Sequence, residues 1–75
     1  MRTDKEIFDQ TNKIARIIYD SMGYSVNEGF DFYSERVNRH PQERMCWSAA
    51  CSIQLLMTDT DVNDAIVAME DEGEL

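Results

Sequence analysis

A chain of 75 residues is one domain at most, with a core too small to leave much stability in reserve. Hydrophobic residues at 43% and charged residues at 29% exclude a disordered tail, and no apolar run approaches the roughly 18–20 residues that span a bilayer. The net charge of −8 opposes direct contact with a phosphate backbone, and the polar, acidic N-terminus is not that of a signal peptide.

Thr3-Asp4-Lys5-Glu6 has the pattern of a capping box. Ile7, Ile14, Ile18 and Met22 follow at helical spacing, with Phe8, Ala15 and Tyr19 one step round and Thr11 filling the gap, so a helix is predicted over 4–22. Ile17 is expected to broaden its apolar face, and Gly23 to end it. Residues 24–30 read as a connection, with Tyr24, Phe30, Phe32 and Tyr33 clustered around Gly29. A short strand near Tyr24–Val26 would have no partner. Asp31 can cap a second helix over roughly 32–39 that carries Phe32, Tyr33 and Val37.

His40-Pro41 marks the next boundary, because proline suits a first helical turn and the residue before it leaves the α region. A third helix is predicted over 41–57, with Glu43 early, where the helix dipole favours an acid. From Met45 to Met57 it carries no charge. Thr58-Asp59-Thr60-Asp61 stops it and caps a fourth helix over 61–71, striped by Val62, Ala65, Ile66 and Met69. Glu72-Gly73-Glu74-Leu75 is expected to fray. The architecture expected is a single all-α domain over 1–75, a compact bundle of three to four short helices.

Of the 15 acidic residues, Asp59, Asp61, Asp64, Glu70, Asp71, Glu72 and Glu74 fall in residues 59–75, which hold no Lys or Arg. That segment carries −7 and leaves −1 on the rest. Such an arm can solubilise, or it can dock onto a basic partner, with Asp61, Asp64, Glu70, Asp71 and Glu72 as the contacts. Arg36, Arg39 and Arg44 gather with His40 around the turn between the second and third helices. Their expected partners are Glu35, Glu43 or the acidic arm.

No spacing of residues makes a triad, a nucleophile elbow or a phosphate loop, and His40 reads as a cap or surface residue. No enzymatic activity is expected, and no cofactor. Cys46 and Cys51 lie on different faces of one helix, outside any CxxC pair, and read as small core residues in a reducing, cytoplasmic protein. Zinc would need more ligands than these and His40 supply. Asp59, Asp61, Asn63 and Glu70 have the spacing of a calcium loop, but Asp64 stands where its glycine belongs, and helix capping explains them better. No metal site is expected. A helix-turn-helix reader is rejected, because 41–57 offers Trp, Cys, Ala and Leu where base-reading groups belong.

Met45–Met57 is apolar on nearly every side, and a helix apolar all round must be buried all round. Either the bundle wraps it or a second chain does. The expectation is a homodimer or partner groove through Trp47, Ala49, Ser52, Ile53 and Leu56, with Trp47 as the anchor. In size and charge the chain resembles small bacteriophage-encoded inhibitors, some anti-CRISPR proteins among them; that resemblance implies a partner and carries over no functional residue. The function expected is a small acidic inhibitor of a basic or nucleic-acid-binding protein, by phosphate mimicry. The alternative is a structural or regulatory homo-oligomeric subunit assembled through 41–57.

Overall fold

The computed structural model describes residues 2–35 and 41–75, and in them four helices and no strand. These are α1 (Asp4–Ser21), α2 (Phe32–Glu35), α3 (Pro41–Thr58) and α4 (Val62–Asp71). The radius of gyration of 11.9 Å is close to the roughly 11 Å of a compact chain this long. The all-α bundle is therefore as the periodicity predicts. The rest of the expected second helix, with Arg36, Val37, Arg39 and His40, lies outside the described residues.

Each boundary has a local cause. The Thr3 hydroxyl accepts from the Glu6 amide at 3.1 Å, and the Thr3 amide donates to Glu6 Oε1 at 3.2 Å, closing the capping box. At the other end Gly23 has φ +91°. Its amide donates to Asp20 O and the Tyr24 amide to Tyr19 O, the paired bonds of a Schellman turn. Tyr24 stacks on Tyr19 at 5.0 Å, which supplies the apolar contact such turns carry. Asp31 caps α2 by accepting from the Tyr33 and Ser34 amides. Asn12 of α1 holds that cap in place: its amide group donates to Asp31 Oδ1, and its Oδ1 accepts from the Phe32 amide.

The C-terminus does not fray as expected. Gly73 has φ +77°, its amide donates to Glu70 O, and the Glu74 amide donates to Met69 O at 2.8 Å. A second Schellman turn thus ties the chain down through Glu74. The α3–α4 junction turns on Asp59, at φ +54°, whose amide donates to Leu55 O.

Helix α1 is the hub of the packing. It runs antiparallel to α3: Gln54 late in α3 meets Thr11 early in α1, and Glu43 early in α3 meets Tyr19 late in α1. It also packs on α4, whereas α3 and α4 touch each other least. The shared core is Phe8, Ala15, Tyr19, Phe32, Cys46, Trp47, Ala50, Val62, Ile66 and Met69. Aromatic rings fill much of it. Trp47 lies 5.6 Å from both Phe8 and Tyr33, and Phe32 meets Tyr19 and Phe30 edge-on. Ile17 is a correction: it is 65% exposed, lying on the side of α1 away from the buried Phe8, Thr11, Ala15 and Tyr19. No described helix is long and apolar enough to cross a membrane.

Candidate functional site

Two surfaces carry the features that the sequence singles out. The first is α4. Its apolar stripe, Val62, Ala65, Ile66 and Met69, is buried, and the acids stand on the remaining circumference. Asp61, Asp64, Glu70, Asp71 and Glu72 are all exposed, but they divide into two groups. Asp61 is the N-cap, accepting from the Asn63 amide at 2.9 Å, and Asp64 lies in the first turn. Both sit where the helix dipole welcomes an acid. Asp64 and Asp71, seven residues apart, lie within roughly 20° on the helix and about 10 Å along it. Glu70 and Asp71 occupy a last turn that holds no basic residue, and Glu72 is the C-cap. There the backbone carbonyls are already partly negative, so each carboxylate costs a few tenths of a kcal/mol, about 0.3 at exposed positions. Helix stability does not explain them. Nor does internal pairing, since the ion pair among the described residues is Lys5–Asp9 at 3.1 Å. Arg44 forms no ion pair among them either.

These residues are not a calcium loop. Val62–Asp71 is helical, and the Asp61 side chain is engaged as a cap. Among the described residues no group of three or more His, Cys, Asp or Glu could hold a metal.

The second surface is the outer face of α3. Its buried residues, Glu43, Cys46, Trp47, Ala50 and Gln54, repeat at three and four and pack on α1 and α2. Opposite them Met45 is 63% exposed and Leu56 82%, with Ile53 and Leu55 uncovered on the flanks, while Met57, on the side of the buried stripe, is uncovered at the helix end. On the helix Met45 and Leu56 fall within roughly 20° of each other, with Ala49 and Ser52 between them along the same line. The structure therefore brings Ala49, Ser52, Ile53 and Leu56 onto one open face. Trp47 is the correction. It is 1% exposed and belongs to the chain's own core, so it cannot anchor a partner from the surface. The expectation that a helix apolar all round is buried all round holds for one half of α3.

Sequence reasoning missed the polar groups inside the α1–α3 seam. Gln54 is fully buried and donates to Thr11 Oγ1 at 3.2 Å and to Gln10 Oε1 at 3.1 Å, while Thr58 Oγ1 donates to Gln54 O and Oε1. Glu43 is 5% exposed, and its Oε2 accepts from the Tyr19 hydroxyl at 3.2 Å. Its Oε1 is buried without a hydrogen-bond partner among the described residues. Burial, and then the Glu43 charge and hydrogen bond, push the Tyr19 phenol up. Burial first and Glu43 second also push up the Cys46 thiol, which lies 3.7 Å from Met22 Sδ. A thiol held protonated is a poor nucleophile, so Cys46 is a packing residue. The signal for Glu43 and Gln54 was their register: both fall on the stripe of Cys46, Trp47 and Ala50.

A cleft of about 300 Å³ between α1 and the 28–30 turn is lined by Asp9, Lys13, Arg16 and Glu28. Two acids face two bases, so it selects neither sign of ligand. Comparison with known protein families, with curated proteins and with solved structures finds no match to this chain.

Proposed function

We propose that the chain is a small acidic protein-binding module that inhibits a larger basic or nucleic-acid-binding protein. Its carboxylates stand in for backbone phosphates, and it acts by occupancy rather than by catalysis, as a phage-type inhibitor of the anti-CRISPR kind does. The setting is a reducing cytoplasm, in keeping with cysteines that read as small packing residues. The observation that carries this reading is the end of α4. Glu70, Asp71 and Glu72 are held by a Schellman turn at the helix terminus that least favours them, with no ion pair among the described residues. A basic groove would supply the missing counter-charge, and the fixed backbone lowers the ordering cost of binding. Exposed pairs contribute only about 0.2–1 kcal/mol each, so several must act together.

The test uses two baits, the parent and a variant with Asp61→Asn, Asp64→Asn, Glu70→Gln, Asp71→Asn and Glu72→Gln. Asn still caps a helix, so the fold is preserved. A basic protein recovered from bacterial lysate by the parent should bind it with an affinity that falls steeply with salt. The variant should bind weakly and with a flat salt dependence. Equal affinity for both baits would refute the reading. A structural or regulatory subunit that assembles through α3 is the second reading, favoured by the exposed Met45–Met57 face.

A further inference from the structure

We infer that a second copy of this chain covers the outer face of α3, and that the two α3 helices cross antiparallel about a two-fold axis between Ala49 and Ser52. This rests on the reading of α3 as an assembly surface and adds its geometry. Three observations on the two ends and the middle of α3 support it.

The first is size. An 18-residue helix is about 27 Å long, and half its lateral accessible surface is on the order of 600 Å². A specific dimer takes about 600 Å² or more from each copy, roughly an eighth of this chain's 5089 Å². The open face meets that requirement without moving any element.

The second is the arrangement of large and small side chains. Along the centre of the face run Met45, Ala49, Ser52 and Leu56, spaced four, three and four. Small residues in the middle let two backbones approach, and large flexible ones at the ends fill the space as the helices diverge. An antiparallel pair places each Leu56 over the partner's Met45. A parallel pair would set Leu56 against Leu56 and Met45 against Met45.

The third is charge. Two copies at −8 each repel, so association needs a seam without acids, and 45–57 is one. Its two ends differ. Exposed Arg44 precedes the strip and makes no ion pair among the described residues, whereas Asp59 and Asp61 follow it. Antiparallel pairing brings each Arg44 toward the partner's acidic end and opposes the two helix dipoles. Parallel pairing would bring two segments of −7 together.

Sedimentation equilibrium of the full chain at micromolar concentration should give about twice the 8.7 kDa monomer mass, and Leu56→Glu should restore the monomer mass with unchanged helicity. Leu56 is outside the monomer core, so the variant still folds. The orientation is read by oxidative cross-linking in a Cys51→Ser background. Ser52→Cys should form a covalent dimer readily, because the two positions lie near the axis. Leu56→Cys should not, because antiparallel packing separates its two copies by about 16 Å. A parent that stays monomeric overturns both the dimer and the α3 assembly reading. A dimer that cross-links through Leu56→Cys, whether or not Ser52→Cys also does so, overturns the antiparallel geometry alone.

Discussion

Helix α4 buries Val62, Ala65, Ile66 and Met69 and surrounds them with carboxylates, leaving Val67 as its one large apolar residue outside. Helix α3 buries one face just as well, yet sets Met45, Ile53, Leu55, Leu56 and Met57 in solvent with no charge among them. Both helices lean on α1, so the difference does not come from a missing scaffold. It comes from what lies opposite the buried stripe. On α4 the outside is charged and suits water or cations; on α3 it is uncharged and largely apolar. Scattered exposed leucines would need no explanation, and it is the grouping of these residues on one helix that motivates the proposed assembly through α3.

The sharpest way to break this contrast is to truncate each side of α3. Trp47→Ala removes a side chain at the junction of Phe8 and Tyr33, and should cost about 3–5 kcal/mol, much of what a domain this small has. Leu56→Ala should change the stability of the dilute monomer by less than about 0.5 kcal/mol. Urea denaturation followed by circular dichroism reads both. A Leu56→Ala cost as large as that of Trp47→Ala would mean that the open face is packed within the monomer.

The inner side of α3 carries the next effect. Tyr19→Phe removes the hydroxyl that satisfies Glu43 Oε2 and leaves the buried carboxyl group without a hydrogen-bond partner among the described residues, a loss of about 1–3 kcal/mol. The same cluster sets an alkaline limit. Both the Tyr19 phenol and the Cys46 thiol are held protonated in the fold beyond their ordinary range. Rising pH therefore takes protons from the unfolded chain first. Stability is full below the unfolded thiol value of about 8.5, falls above it, and falls further near 10 as the phenol joins. Cys46→Ala should flatten the first part of that decline in denaturation series at pH 7, 9 and 10. A parent that loses no stability across that series would remove the burial account of both groups.

The smallest effect distinguishes the two ends of α4. Glu70→Gln, Asp71→Asn and Glu72→Gln should each stabilise the fold slightly, by about 0.3 kcal/mol at low salt, because they remove negative charge from a helix C-terminus. Asp64→Asn, at the favourable end, should destabilise by a similar amount. Thermal melts of the four variants give the signs. If all four destabilise alike, the acids are serving the helix and their placement needs no partner.

Much of this fold was open to reading from the chain. Thr3 to Glu6, Asp31, Pro41 and Asp61 punctuate the helices by capping chemistry that acts within three or four residues, and periodicity places the stripes of α1 and α4. What escaped was long-range. Ile17 and Trp47 are both large apolar residues within predicted helices, and only the position of α1 between α3 and α4 decides that one is outside and the other inside. Gln54 and Glu43 look like surface residues by type, and it takes Thr11 and Tyr19, more than twenty residues away in sequence, to bury them. The ordered C-terminus depends on Gly73 adopting positive φ, a signal present in the sequence but outweighed by the usual behaviour of chain ends.

The division of labour between α3 and α4 is put most directly to the test by sedimentation equilibrium of the parent and of Leu56→Glu, each at low and at high salt. Apolar association of α3 should yield a parent dimer that is held or strengthened by salt, as the −8 on each copy is screened, and a Leu56→Glu monomer under both conditions. A parent that is monomeric throughout, or a dimer that salt dissociates and Leu56→Glu leaves intact, would contradict the assignment of α3 as the covered face.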